Sequence, residues 1–390
     1  MIIQCSCIKI VLKTRKEAKV KLGIYIHVPF CLRKCPYCAF YSVAYSESLK
    51  DEYVKAVTRN IRKYSDIRLP CDTIYFGGGT PSLLTPRDIY TIIEAVRTGF
   101  NLSPSSEITM EANPCSVTSD SLSGYYRAGV NRLSFGIQSL NDNELKALGR
   151  LHDAKTALNA IDMARNAGFE NISCDLMIGT PYQTIESLLS SCWQLTSIGI
   201  PHISSYMLKI EDGTPYDCSE IRNSVADDDT VCDMYLALCD ELRTVGYERY
   251  EISNFSRPGL RSRHNMKYWT GEDYLGFGSS AHSLFQGKRF YVPNDLKFYI
   301  TSETQPELTE DDSPDRLEEY IMLSLRLSDG MSLEQLRSLG GDQEAVTEKA
   351  RPYADAGFLN IVDNRITLTD KGALASNRII FDLYSAATGE

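Results

Sequence analysis

No stretch of the sequence approaches the ~18 uninterrupted apolar residues that a bilayer-spanning helix needs, so a membrane-spanning protein is not expected. Positive charge is not in excess either. The 41 Lys and Arg stand against 51 Asp and Glu, a net charge of −10. That balance excludes a broad basic footprint for nucleic acid and leaves room only for a local basic patch. Cysteine is too sparse for a disulfide scaffold: 12 residues in 390 are about 3%. No repeat or low-complexity segment is present. The start lacks the basic n-region of a secretory signal, and Gln4 and Lys9 interrupt its apolar run. The expected compartment is therefore a reducing cytosol, where clustered cysteines point to metal or redox chemistry. Residues 9–21 carry six Lys or Arg against Glu17 alone. This leaves a short organelle-targeting stretch as an alternative to a ragged extension.

What is present is an ordinary globular composition, 43% apolar and 24% charged, over 390 residues. At about 150 residues per domain, that length predicts two to three domains, or one large α/β barrel with an appendage. Short β-branched and aromatic runs at 23–28, 73–76, 107–111, 132–136, 172–177 and 202–207 read as strands. Helical spacing over 47–64, 86–98, 119–128, 155–167 and 185–197 fills the intervals. Six such repeats with short connections predict parallel βαβ units, hence a doubly wound sheet or a full or partial barrel. After about residue 208 the rhythm is lost. Asp227, Asp228 and Asp229 begin a helix to about 245, where acidic residues suit a helix N-terminus. The polar stretch 293–314 reads as a linker. Beyond it, helices over 315–327, 332–339 and 343–356 and a hairpin over 358–368, turning at Asp363-Asn364, resemble a winged helix. At this acidity, that unit is expected to pack rather than bind DNA.

The sharpest signal is Cys31-Leu-Arg-Lys-Cys35-Pro-Tyr-Cys38, three thiols spaced C-x3-C-x2-C directly after the first strand. Soft thiolates this close can converge on one metal centre. A redox pair needs only two, and structural zinc normally takes four protein ligands, for which His27 is the nearest candidate. Three cysteines also suit a [4Fe–4S] cluster with one iron left open.

The C-x3-C-x2-C motif after strand one resembles that of the radical S-adenosylmethionine (SAM) enzymes. Tyr25-Ile-His27-Val-Pro29-Phe30 before it, and Gly77-Gly78-Gly79-Thr80-Pro81 after the second strand, are similar to one branch of that family. The branch holds oxygen-independent coproporphyrinogen III dehydrogenase and the HemW-type heme chaperones, and the resemblance spans roughly residues 22–385. It implies a partial (β/α)6 barrel over 22–210, an extension over 211–292, and a C-terminal, mainly helical, winged-helix-like domain over 315–390, with 1–21 as an N-terminal extension. It also implies a [4Fe–4S] cluster on Cys31, Cys35 and Cys38. In that family SAM chelates the open iron and is cleaved by one electron, so an electron donor is an implied partner, while cleavage or binding alone stays open for this chain.

By the same resemblance, Gly78, Gly79 and Thr80 would receive the SAM amino group through close backbone approach. Glu111 would accept from the ribose hydroxyls, which donate. Gln138, Arg150 and Asp175 would contact the rest of the ligand, and Tyr25 and Tyr37 would flank the adenosyl group and cluster. Taken singly, strand-end carboxylates are more often caps or ion-pair partners.

Three features separate the two branches. The dehydrogenases carry a further cysteine two residues past the cluster, where this chain has Phe40, and a long N-terminal arm, whereas only 22 residues precede strand one here. The stretch Arg263-His264-Asn265-Met-Lys-Tyr268-Trp269 fits the H-N-x-x-Y-W signature of the chaperones. Ala39 departs from that branch, which usually has Asp there. The resemblance implies heme as cargo and an acceptor hemoprotein as partner. His264 would be the iron ligand, with Asn265, Tyr268 and Trp269 around the porphyrin and Arg261, Arg263 or Lys267 at its propionates. The plainer alternative makes His264 a hydrogen-bonded loop residue and Tyr268 and Trp269 packing anchors. His282 is a second ligand candidate, and His152 and His202 read as structural. The expected function is a cytosolic heme chaperone. The alternatives are the dehydrogenase or another radical enzyme, such as a methyltransferase, acting on tetrapyrroles.

Overall fold

The computed structural model describes residues 21–64 and 68–389; all but one residue of the expected N-terminal extension lie outside the described residues. Strands and helices alternate as the hydrophobic pattern predicts. β1 (Leu22–Val28) leads to α1 (Glu47–Lys63), β2 (Pro70–Gly78) to α2 (Pro86–Gly99), and β3 (Asn101–Ala112) to α3 (Ser119–Ala128). β4 (Arg132–Gln138), α4 (Ala154–Asn166), β5 (Asn171–Ile178), α5 (Ile185–Ser197) and β6 (His202–Met207) complete the run. Consecutive strands pair in parallel throughout. The helix starts are written into the sequence: Thr85, Thr118 and Thr184 each close a capping box, and Pro86 takes the first helical turn.

Burial alternates along each strand, as a pleat requires. Ile24, Ile26, Ile74, Phe76, Ile108, Met110, Leu133 and Phe135 pack outward against the helices in one continuous core. Each such side chain, fully buried, contributes about 1.5–3 kcal/mol. The opposite face, lining the barrel, is polar. Tyr25, Tyr75, Glu111, Ser134 and Asp175 occupy it, together with Arg132, which is almost wholly buried and has no partner at Nε or Nη1.

The segment after β6 supplies what its broken rhythm concealed. It contains α6 (Asp228–Thr244), β7 (Asn254–Ser256), α7 (Arg263–Thr270), β8 (Tyr274–Phe277), β9 (His282–Phe285), β10 (Lys288–Tyr291) and β11 (Leu308–Asp311). β8 pairs in parallel with the free side of β1, Gly23 opposite Tyr274. β9, β10 and β11 follow as an antiparallel meander, and β7 pairs antiparallel with β6. Among the described residues the sheet has 12 strands, in the order β11-β10-β9-β8-β1-β2-β3-β4-β5-β6-β7 and then the short strand Glu248–Arg249. This is the expected partial barrel, widened at both edges. The stretch 293–314 is not the plain linker expected: it holds the helix Leu296–Thr301 and edge strand β11.

Residues 317–387 form a second apolar core. α8 (Arg316–Ser324), the short helix Leu333–Ser338, α9 (Gln343–Asp355), the hairpin β12 (Leu359–Val362)–β13 (Arg365–Leu368) and α10 (Ser376–Thr388) build it. Asp363 and Asn364 both take positive φ, 49° and 61°, as the hairpin turn demands. Asp370 binds this unit to the sheet edge through Arg243 and Arg249.

Candidate functional site

The three cysteines lie in the loop that leaves the C-terminal end of β1, all half-buried and all free thiols. The loop is held from below. Thr80 N donates to Phe30 O (2.7 Å), Val43 N to Pro29 O (2.7 Å) and Tyr45 N to Cys31 O (3.0 Å). Two sulfurs receive donors, Cys31 from the Thr80 hydroxyl (3.7 Å) and Cys35 from Arg150 Nη1 (3.5 Å). Burial, reinforced by the other two thiols, pushes the Cys38 thiol up. A cationic centre would relieve that crowding of like charge. Among the described residues, no three His, Cys, Asp or Glu side chains converge to hold a single metal ion. His27 is also spent, its Nδ1 on the Tyr25 hydroxyl (3.1 Å) and its Nε2 on Tyr41 O (3.1 Å). A Cys3His zinc site would require His27 to give up one of these bonds. Three half-buried thiols, two of them hydrogen-bonded, fit a multinuclear cluster in which each thiolate takes its own iron.

The glycine loop explains itself by proximity. A Cβ on Gly79 would stand 2.6 Å from Phe30 O and 2.9 Å from Val28 O. A Cβ on Gly78, whose φ is +108°, would meet the His27 ring at 2.7 Å. Without side chains, the loop lies flat against the strand that presents the cysteines.

Around this mouth the barrel gathers the other residues expected to hold SAM. Glu111 accepts from the Tyr75 hydroxyl (2.9 Å) and from Gly78 N (3.2 Å). Asp175 accepts from Ser134 (3.1 Å). Arg150 Nη2 donates to Gly136 O (2.6 Å) while Nη1 reaches Cys35. Gln138 closes β4 at φ +70°, a conformation that side chains rarely adopt. Tyr37 packs on Tyr216 across the loop, and Tyr25 stacks on Tyr75. The strand-end residues and the thiols thus share one end of the barrel. Tyr75 and Arg132, which the sequence reading did not single out, sit among them. Their only signal was a polar residue at every second position of a strand.

Burial, and secondarily the charge of Asp175, raises the Glu111 pKa from the usual 4.5 to about 7, against the pull of Tyr75, Gly78 and Arg132. The folded protein therefore holds this proton more tightly than the unfolded chain does. The penalty for ionising Glu111 is absent below pH 4.5, grows to about pH 7 and stays constant above. Glu111→Gln should be more stable relative to wild type at pH 8 than at pH 4.5, by about 2–3 kcal/mol. Urea melts at the two pH values test this; a difference independent of pH would assign Glu111 an ordinary carboxylate.

The H-N-x-x-Y-W segment lies beneath this site, with His264 stacked on Tyr75 at 5.2 Å and tilted against Tyr25 at 6.5 Å between ring centroids. α7 caps the N-terminal ends of β1, β2 and β3, about 20 Å of strand away from the cysteines. His264 is fully buried. Its Nδ1 bonds Thr73 Oγ1 (2.8 Å), its Nε2 bonds the Tyr268 hydroxyl (2.9 Å), and burial, with the nearby Lys267, lowers its pKa to about 3. Both ring nitrogens are hydrogen-bonded, so iron ligation by His264 would require Thr73 or Tyr268 to give way. The basic residues assigned to propionates are engaged as well: Arg261 with Asp329, Arg263 with Asp72, and Lys267 with Asp72 and Glu272. Trp269 lies under Arg326 of the C-terminal unit, and Asn265 N bonds Ser262. Tyr268 packs edge-on against both His264 and Tyr274. His264→Ala should cost about 2–4 kcal/mol, from the cavity and two orphaned hydroxyls. A thermal melt indistinguishable from wild type would contradict this.

Comparison with known proteins adds the wider frame. The model of the Radical SAM superfamily matches residues 25–192, and that of the HemN C-terminal domain matches residues 311–375. The heme chaperone HemW of Escherichia coli is 39% identical over 374 residues, covering 92% of this chain and 97% of the relative. HemW of Bacillus subtilis is 32% identical, over 94% of this chain and 99% of the relative. Among solved structures, the coproporphyrinogen III oxidase HemN of E. coli superposes with a TM-score of 0.79 at 20% identity, over 94% of this chain and 91% of that one. At that identity the likeness shows a shared fold.

Proposed function

Since the chain belongs to the HemW heme chaperone family of the radical SAM superfamily, we propose that it binds heme and passes it to an acceptor hemoprotein. Similarity along nearly the whole length of the HemW relatives carries this reading. Phe40, 68% exposed, occupies the position where the dehydrogenase branch has its additional cysteine.

Cys31, Cys35 and Cys38 would hold a [4Fe–4S] cluster, which when bound supplies one electron and an open iron. Tyr25, Gly78, Gly79, Thr80, Glu111, Gln138, Arg150 and Asp175 line the end of the barrel where SAM would sit, with Tyr37 beside the cluster loop. Ionised Glu111 suits two ribose hydroxyls, and Arg150 suits the carboxylate of the ligand. Beside the loop runs a groove of about 640 Å³ lined by Arg33, Lys34, Lys146 and Arg150, alongside Asp142 and Asp153. On a chain of net charge −10, this local basic surface suits an acidic electron-donor protein. Among the described residues, no helix is long and apolar enough to cross a membrane. A cytosolic location is part of the proposal.

The test is anaerobic reconstitution followed by heme titration and by turnover with SAM, dithionite and coproporphyrinogen III. Saturable heme binding without protoporphyrinogen formation is expected. Turnover without heme binding would replace the carrier by the dehydrogenase.

A further inference from the structure

Four of the five histidines are buried. His27, His152, His202 and His264 are 3%, 5%, 0% and 0% exposed. The fifth, His282, has a side chain 55% exposed. It opens β9, directly after the turn that leaves the C-terminal end of β8, and therefore stands at the same end of the sheet as the cysteine loop. Gly278 ties that turn to β1: a Cβ there would lie 2.5 Å from His27 O. Burial lowers the His27 pKa to about 4, and His282 is near enough to add a small electrostatic contribution in the same direction.

The surroundings of His282 are those of a ligand. Its Nδ1 faces Glu310 Oε2 at 3.4 Å, and its Nε2 has no hydrogen bond among the described residues. A carboxylate behind one ring nitrogen is the usual device for orienting the other toward a metal and raising its basicity. The imidazole stacks on Tyr291, with centroids 5.5 Å apart and planes 21° from parallel. Register places His282 opposite Tyr291 and Tyr291 opposite Leu308, so the three share one face of β9, β10 and β11. Leu308 is 49% exposed. With the iron over His282, a macrocycle would cover Tyr291, one strand spacing of about 4.8 Å away, and reach Leu308 with its peripheral substituents. The row offers an imidazole, an aromatic ring and an aliphatic side chain, a surface suited to a flat, mostly apolar disc.

We propose that His282 ligates the heme iron and that the row His282–Tyr291–Leu308 is the platform for the porphyrin face. This rests on the carrier reading above.

The test is a heme titration of the full-length reconstituted protein, followed by the Soret band and by electron paramagnetic resonance. Wild type, His282→Ala and Leu308→Asp are compared, with iron content, SAM binding and thermal melts as controls on folding. His282→Ala is expected to lose the histidine-ligated spectrum and to bind heme at least about tenfold more weakly, with added imidazole restoring the spectrum. Leu308→Asp is expected to weaken binding and leave the spectrum unchanged. Heme binding by His282→Ala with wild-type affinity and spectrum would overturn the inference and leave the carrier reading standing. Absence of heme binding by wild type would overturn both.

Discussion

Cys35→Ala should leave the fold intact and the protein unable to retain an iron–sulfur cluster. A cluster with one open iron has three protein thiolates and no reserve, so losing one leaves two ligands for a centre that needs three. Bound iron and sulfide after anaerobic reconstitution should fall by about tenfold or more, since even removal of an outer hydrogen-bond partner typically weakens metal sites 10–100-fold. Stability should hardly change. Cys35 is half-buried in a loop, and its backbone link, Cys38 N to Cys35 O at 3.1 Å, survives the substitution. Cys218→Ala makes the comparison decisive, because that thiol is exposed and lies outside the cluster loop. It should retain full iron. A full complement of iron in Cys35→Ala, or equal loss in Cys218→Ala, would remove the basis for placing the cluster on this loop.

Gly79→Ala should damage the same site without touching a sulfur. The three atoms nearest its added Cβ, at 2.6, 2.9 and 3.0 Å, are backbone atoms of Val28 and Phe30, which cannot rotate aside. The loop must lift from the strand that leads into Cys31. That lengthens Gly79 N to Val28 O (2.8 Å) and Thr80 N to Phe30 O (2.7 Å), and draws the Thr80 hydroxyl from the Cys31 sulfur. Overpacking of this kind costs about 1–3 kcal/mol. Displacing binding groups by a fraction of an ångström to an ångström should weaken SAM binding by up to about 100-fold. Gly213→Ala separates crowding from backbone strain. Its φ is +76° and nothing lies within 4 Å of the added carbon, so it should pay only about 1–2 kcal/mol of left-handed strain and bind SAM normally. Isothermal titration of both variants checks this. Equal SAM affinity in Gly79→Ala and wild type would show that the close approach does not shape the binding site.

Much of this architecture was legible in local pattern. The capping threonines, the proline in the first turn of α2 and the alternation within β1 to β6 are local properties, and the parallel barrel follows from their repetition. The cysteine spacing is equally local. The location of α7 was not legible, because its position depends on the pairing of β8 with β1, residues about 250 apart in the chain. A short helix preceding a strand goes wherever that strand is inserted. β8 runs parallel to β1, so its N-terminal end, and α7 with it, is set opposite the cysteine loop. The same long-range step hid the distinction between His264 and His282. Both sit in motif-rich stretches, yet one precedes β8 and the other follows it, so only the assembled sheet shows that His264 packs beneath Tyr25 and Tyr75 while His282 opens the neighbouring strand. The polar lining of the barrel was half legible. Alternation showed that each strand has two faces, but only the assembled sheet shows which face points inward.

The insertion of β8 beside β1 also sets a timetable. During synthesis, the first strand emerges early and can pair with β2 within a few dozen residues, but its other edge stays bare until residue 277 has been made. At ribosomal speeds of about 5–20 residues per second, that interval is about 12–50 s. Throughout it, the strand that presents the three cysteines is a sheet edge, open to pairing with another nascent chain. Newly made chains should therefore depend on protection of that edge more than the finished protein does.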